Sequence, residues 1–188
     1  MRRGKLFKQV GAAGSALLLA MIVVAVASKS AGQTTAQIPP PAPSDAISLV
    51  VKGAVQNELH IGTAEWQVMA RAKVTAKDHG GVTHDYEGVT LQALLLQAGV
   101  PHGDELRGKN MTLTVVAEGT DGYRAAFSVA ELDADFVGAQ VLVADTMDGK
   151  PLAATEGPLR LVVPGDKRQA RAVRMLKSIT VVNAGGPQ

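Results

Sequence analysis

The C-terminal part of the chain concentrates basic side chains that could bind an anion. Planar guanidinium groups hold phosphate, pyrophosphate or sulfate through paired hydrogen bonds, and the neighbouring Pro164-Gly165 loop would allow close approach. Positions 118 to 148 hold seven acids and one base, so an alternative is a solvated basic face that pairs with this acidic segment. The basic residues in question are Arg160, Lys167, Arg168, Arg171, Arg174 and Lys177.

A polar turn around Asp78 and His79 offers a second kind of chemistry. Together with His84 and Asp85 it has the residue types of a metal site, but no HExxH or His-x-His spacing accompanies them. A solvated turn explains the pattern at least as well, and any metal ligation is expected from Asp78 or His79. The sequence contains no cysteine, which excludes thiolate metal sites, iron-sulfur clusters and catalytic thiols. Serine-hydrolase, Walker and Rossmann motifs are also absent.

The basic pI of about 9.0 depends on the N-terminus. The chain has 188 residues, with 19 Lys and Arg against 17 Asp and Glu. Four of the basic residues precede an apolar run over 10–27, a pattern typical of a secretory signal. Without residues 1–27 the chain has 15 basic residues against 17 acidic ones, so no nucleic-acid partner is expected. The four are Arg2, Arg3, Lys5 and Lys8.

The N-terminal pattern also predicts the location of the protein. Ala25-Val26-Ala27 fits signal cleavage after residue 27, and a later site would place cleavage after residue 36. The protein is then expected to be periplasmic or secreted. The alternative is an uncleaved membrane anchor, because 18 apolar residues lie at the lower limit of a spanning length.

The remaining chain divides into a tether and one domain. Residues 28–45 are rich in proline and poor in large apolar side chains, which predicts an extended tether. The domain is expected over 46–184, with 185–188 as a tail. Several short strands and few helices predict an α+β domain with mixed or mainly antiparallel sheets.

Two segments carry strong local signals. Thr90 is a predicted N-cap for a helix over Leu91–Ala98, which ends at Gly99. The alternation of apolar and polar residues from Trp66 to Val74 predicts a half-buried strand. A short helix is expected after Ser128, and a tight turn at Asp148-Gly149.

Four motifs, in order along the chain, resemble the oxidoreductase molybdopterin-binding domain family, which has the sulfite oxidase fold. Tyr86-Glu87-Gly88-Val89-Thr90-Leu91, with the leucines and Ala98-Gly99-Val100 that follow, is similar to the family's W-x-G-V-x-L segment. Asp121-Gly122-Tyr123 resembles its D-G-Y turn. The stretch from Gly157 to Gly165 is similar to its G-x-P-L-R-x-x-V-P-G motif, and Val173–Leu176 resembles its V-K-W-L.

This resemblance implies a molybdopterin cofactor, with the basic cluster Arg160, Lys167, Arg168, Arg171 and Arg174 around its phosphate. The family's metal-binding cysteine would fall near Lys77–Gly81, where this chain has no sulfur. Two functions remain open. One is an exported binding module that has lost molybdenum-cysteine catalysis and binds an anion, a pterin or a periplasmic protein partner. The other is a periplasmic molybdopterin-dependent oxidoreductase with Asp78 or His79 as metal ligand. Both predict that Arg168, Arg171 and Arg174 share a pocket with Asp78 or His79.

Overall fold

The structure is a computed structural model that describes residues 46–138 and 140–185. The expected signal over 1–27 and tether over 28–45 lie outside the described residues, as does most of the tail. Ten strands and two α-helices form within this part, with short 3₁₀ turns at 103–105, 108–112, 130–132 and 169–171. The elements are β1 (Ser48–Gly53), β2 (Leu59–Gly62), α1 (Thr63–Gln67), β3 (Ala72–Lys77), β4 (Thr83–Thr90), α2 (Leu91–Gln97), β5 (Leu113–Gly119), β6 (Arg124–Ser128), β7 (Leu142–Met147), β8 (Lys150–Pro151), β9 (Arg160–Val162) and β10 (Leu176–Asn183).

The described strands form two five-stranded sheets. The first has the order β2-β1-β10-β5-β6, in which β1 and β10 are parallel and the other neighbours are antiparallel. The second has the order β3-β4-β7-β8, and β9 also pairs with β7. Its pairings are all antiparallel. The expected α+β class with mixed sheets and few short helices is therefore confirmed.

The main core combines the inner face of the first sheet with residues of the second sheet such as Val89, Val143 and Leu161. Along β5, Leu113, Val115 and Ala117 are buried while the residues between them are partly exposed, as the two-residue period of a strand requires. The helix α2 covers this core with three leucines. The hydroxyl of Thr90 accepts a hydrogen bond from the amide of Ala93 at 3.2 Å, so the predicted helix and its cap are both confirmed.

The predicted strand from Trp66 is wrong in its first half. Residues 63–67 form α1, and the strand begins only at Ala72. The Glu65 carboxylate accepts a hydrogen bond from the amide of Gly62 at 3.0 Å, which stabilises a helix start. Trp66 is buried, but Val68, expected on the same inward face, is 85% exposed. The alternation in the sequence continues through the turn at 68–71, although no strand forms there.

A close approach of two strands fixes the middle of the second sheet. The pairing of β4 with β7 shifts register between Glu87 and Gly88. A Cβ atom at Gly88 would lie 1.9 Å from the carbonyl oxygen of Val143, so only glycine fits there.

Among the residues that the structure describes, no helix combines the length and apolar character that a membrane crossing requires.

Candidate functional site

A large cavity lies between the turn that joins β3 to β4 and the loop that follows β9. We call it the main pocket; its volume is about 860 Å³. One wall carries Lys77, Asp78 and His79, and the other carries Lys167 and Arg168. The two predicted sites, far apart in the sequence, therefore line a single cavity.

The first wall is held by hydrogen bonds within its turn. The Asp78 carboxylate accepts a hydrogen bond from the amide of Val82 at 2.8 Å, and its other oxygen lies 3.5 Å from Nε2 of His84. These contacts, led by the Val82 amide, hold the pKa of Asp78 below its usual range. Nδ1 of His84 lies 2.7 Å from Asp148, and this hydrogen bond is the main reason why the pKa of His84 is raised. Asp78 is thus already engaged within the protein.

Asp148 stands in the predicted tight turn and adopts a positive φ of 50°. Besides His84, its carboxylate accepts a hydrogen bond from the amide of Asp85 at 3.0 Å. An Asx side chain tolerates this backbone conformation and satisfies neighbouring amides. The turn at Asp148 is therefore confirmed, and it fixes the side of His84 that faces away from Asp78.

The second wall depends on Arg171, which does not line the main pocket. Its guanidinium donates two hydrogen bonds to Asp166, at 2.9 and 2.7 Å, and one to Glu131 at 3.0 Å. Its carbon Cζ also lies 4.7 Å from the ring centroid of Phe127. These carboxylates, with Asp166 first, raise the pKa of Arg171. The expectation that Arg171 shares the pocket with Asp78 or His79 is wrong, because this side chain closes the loop that presents Lys167 and Arg168.

Arg160 also lies away from the main pocket. Its side chain is 2% exposed and donates a hydrogen bond from Nη1 to Glu156 at 2.8 Å. Its Cζ lies 5.5 Å from the ring centroid of Tyr86, and its Nε has no described partner. A buried arginine needs a carboxylate or carbonyl partner, and Glu156 supplies a carboxylate. The role predicted from the resemblance, contact with a cofactor phosphate, does not fit this position, because the guanidinium is enclosed and paired.

A smaller cavity of about 190 Å³ adjoins the main pocket. We call it the side cavity. Arg174 and Tyr123 line it, and His79, Gln169 and Ala170 line both cavities. Of the predicted cluster, the structure thus gathers Lys167 and Arg168 with Asp78 and His79, and places Arg174 next to them.

The charges around the two cavities are unevenly compensated. Within residues 46–138 and 140–185, no carboxylate lies within 4.0 Å of the side-chain nitrogens of Lys77, Lys167, Arg168 or Arg174. The two acids that line the main pocket are engaged elsewhere, Asp78 with Val82 and His84, and Asp166 with Arg171. The main pocket therefore presents a surplus of positive charge.

The alternative interpretation of the basic segment holds for two of its members. Arg171 pairs with Glu131, and Lys177 pairs with Glu118 at 2.8 Å. Both contacts join the basic C-terminal part to the acidic central segment. The cations of the basic segment therefore have two roles. Arg171 and Lys177 neutralise internal acids, whereas Lys167, Arg168 and Arg174 stay available to a ligand.

Sequence reasoning missed Lys77 as a pocket residue. It is the last residue of β3 and directly precedes Asp78 and His79. The sequence signal that could have identified Lys77 is its expected exposed position at the end of an alternating strand. Tyr123 was identified only as part of a turn, yet its hydroxyl donates to the carbonyl of Ala170 and so anchors the loop of the second wall.

The donor atoms that the structure describes give little support to a metal site. In the described ranges, no group of three His, Asp or Glu side chains is placed to hold a metal ion. The sequence supplies no thiolate, and the carboxylate of Asp78 is already engaged by Val82 and His84. His79 lines both cavities, but a single imidazole is a weak basis for binding a metal. The metal role predicted for Asp78 and His79 stays a prediction. The cavity residues fit an anion better than a metal.

Comparison with known proteins points to one family. A family model described as the oxidoreductase molybdopterin binding domain matches residues 36–187. No curated protein matches the chain. Among solved structures, the chain is similar to the crystal structure of the sulfane dehydrogenase SoxCD from Paracoccus pantotrophus, with a TM-score of 0.59 and 22% identity. The similarity covers 72% of this chain and 38% of that chain, so this chain spans well under half the length of the other. At this identity it establishes the fold alone.

Proposed function

This chain belongs to the oxidoreductase molybdopterin-binding domain family and has its α+β, sulfite-oxidase-type fold, and on that premise we propose that its main pocket is a binding site for an anionic ligand such as a pterin phosphate. One observation carries the proposal. The cations Lys77, Lys167 and Arg168 line the pocket without carboxylate partners in the described residues, whereas both lining acids are engaged.

The loop of the second wall is held in place before any ligand arrives. Arg171 links Asp166, which lies within the loop, to Glu131 after β6, and the hydroxyl of Tyr123 donates a hydrogen bond to the carbonyl of Ala170. A preorganised loop loses less conformational entropy when a ligand binds. Each charge-assisted hydrogen bond to the anion contributes about 1.5–3 kcal/mol. Lys167 and Arg168 are the residues that would donate such bonds.

The fit to a molybdopterin cofactor is partial. Its anionic end matches the basic wall of the pocket, and when bound the cofactor supplies redox chemistry at its metal. The metal's usual thiolate ligand is missing, since the sequence contains no cysteine. A carboxylate or imidazole would give molybdenum a different electronic environment. We therefore propose that this domain binds its ligand through Lys167 and Arg168 and has lost molybdenum-cysteine catalysis.

A second function rests on His79. No hydrogen bond or ion pair engages its ring within the part of the chain that is described, and it lines both cavities. If this imidazole ligates molybdenum, the protein is a molybdopterin-dependent oxidoreductase with a nitrogen ligand. The metal analysis below separates this function from a binding module.

We also propose that the protein acts outside the cytoplasm. The support is the basic and apolar pattern of residues 1–27, which lie outside the described residues. A protein partner bound across the same pocket stays a prediction.

Anion binding is tested by titrating the full chain with inorganic phosphate in a calorimeter. The double variant Lys167→Gln/Arg168→Gln should bind phosphate at least about tenfold more weakly, because it loses two charge-assisted hydrogen bonds. The matched control is Arg107→Gln/Lys109→Gln, which removes one exposed arginine and one exposed lysine that line neither cavity. Equal affinity in the two double variants would refute the proposed site.

Loss of molybdenum chemistry is tested on the full chain purified from an exporting host supplied with molybdate. We expect no stoichiometric molybdenum by elemental analysis, while released pterin, detected by its fluorescence after oxidation, would identify the ligand. Stoichiometric molybdenum would instead support the oxidoreductase. His79→Ala then provides the decisive comparison, because only a nitrogen ligand at this position predicts that the metal content falls.

A further inference from the structure

The side cavity has the composition of a second binding subsite. It is lined by Arg174, Tyr123, Asp121, Ala172 and the three residues that it shares with the main pocket. Its volume is about 190 Å³. This space accommodates a group of the size of a phosphate or a carboxylate.

Two of the polar groups that line the side cavity are already engaged. One oxygen of Asp121 accepts a hydrogen bond from the amide of Tyr123 at 2.9 Å. The hydroxyl of Tyr123 donates to the carbonyl oxygen of Ala170. Arg174 is exposed, and in the described part of the chain no carboxylate lies within 4.0 Å of its guanidinium. Asp121 keeps its negative charge, but no ion pair joins it to Arg174 in the described residues, so Arg174 is a cation without a carboxylate partner.

The two cavities adjoin along a shared wall. His79, Gln169 and Ala170 line both of them. The cations line different cavities, Lys167 and Arg168 the main pocket and Arg174 the side cavity. A ligand that extends past His79 would contact both groups of cations.

We propose that the side cavity is a second anion subsite and that the ligand of this protein carries two anionic groups. This inference rests on the proposed function, because the first anionic group occupies the main pocket at Lys167 and Arg168. The second occupies the side cavity at Arg174, and His79 contacts the segment that joins them. Once the first group is bound, the second is held near Arg174 at a high effective concentration, so one molecule with two anions binds more tightly than one with a single anion.

The experiment compares a single-headed probe with double-headed ones on the full chain. Methylphosphonate is titrated by calorimetry alongside a series of alkane bisphosphonates of increasing length. At least one bisphosphonate should bind about tenfold more tightly than methylphosphonate, as one added charge-assisted contact predicts. In Arg174→Gln this advantage should disappear, while the affinity for methylphosphonate changes by less than about twofold. Arg107→Gln, which removes an exposed arginine outside both cavities, should retain the advantage.

The possible failures are distinguishable. If the wild type binds methylphosphonate but no bisphosphonate binds more tightly, the second subsite is refuted and the proposed function stands. If Arg174→Gln weakens methylphosphonate and the bisphosphonates equally, Arg174 belongs to the first subsite and the inference is also wrong. If no phosphonate binds the wild type, the proposed anion-binding function itself fails.

Discussion

Removing the carboxylate of Glu156 should destabilise the protein through the arginine that it neutralises. Arg160 is 2% exposed, and its hydrogen bond to Glu156 at 2.8 Å is the contact that compensates its charge. Breaking a buried ion pair from one side costs about 3–5 kcal/mol. Since the Glu156 side chain is itself 23% exposed, we expect Glu156→Gln to cost about 3 kcal/mol, near the lower limit of that range. For a domain of this size the melting temperature should fall by about 9 °C.

Substitutions at Arg160 separate charge from packing. Arg160→Met removes the charge and the unpartnered Nε while it keeps an apolar side chain in the space, so its cost should stay within about 1 kcal/mol. Arg160→Ala should cost about 2–5 kcal/mol, because it leaves a cavity beside Tyr86. In the Met background, Glu156→Gln should have almost no further effect, since no buried charge is left to compensate.

The assay is urea unfolding followed by fluorescence. Trp66 is the only tryptophan in the sequence and is 1% exposed, so its emission reports loss of the core. A change of midpoint at constant slope measures the change in the free energy of unfolding. An unchanged midpoint in Glu156→Gln, or an equal cost of this substitution in the Arg160→Met background and in the wild type, would show that Glu156 does not compensate a buried charge.

Two further predictions concern the second sheet. The hydrogen bond to Asp148 raises the pKa of His84 above 6.5, so its stabilising contribution is complete below the pKa of the unfolded chain and is lost as the pH rises through the higher folded pKa. The free energy of unfolding, measured in urea from about pH 6 to 9, should therefore fall more steeply in the wild type than in His84→Gln, and equal slopes would contradict the contact. Gly88→Ala should cost about 3 kcal/mol or more, because its Cβ would clash with the carbonyl of Val143. Gly138→Ala, whose Cβ meets nothing within 4 Å, should unfold at the wild-type midpoint.

Local signals in the sequence predicted the elements that local contacts stabilise. The helix after Thr90 was predicted because the cap, the leucine spacing and the terminating glycine all lie within ten residues. The structure of the segment at Trp66 was predicted wrongly. Its alternation is typical of a strand, whereas the contact of Glu65 with Gly62 favours a helix. Trp66 also donates a hydrogen bond to Asp145, 79 positions away, and periodicity alone gives no information about such a partner.

Part of the site could also be predicted from the sequence, and the part that depends on long-range side-chain contacts could not. The resemblance to a family placed Asp78 and His79 near the basic segment, and the structure puts Lys167 and Arg168 opposite them. Which cations stay unpaired depends on side-chain contacts that spacing does not reveal. Glu156 and Arg160 are four apart, a spacing that pairs side chains on a helix, yet the chain between them contains a proline and leads into β9.

The position of β10 makes completion of the domain depend on a strand that is synthesised after the other described strands. This strand lies at the centre of the first sheet, between β1 and β5. A nascent or truncated chain without residues 176–183 would leave both neighbours with unpaired backbone edges, and such edges recruit strands from other molecules. Fragments that end before Leu176 should therefore aggregate rather than fold. A C-terminal fusion needs a linker long enough for Leu176–Asn183 to insert between strands made more than fifty residues earlier.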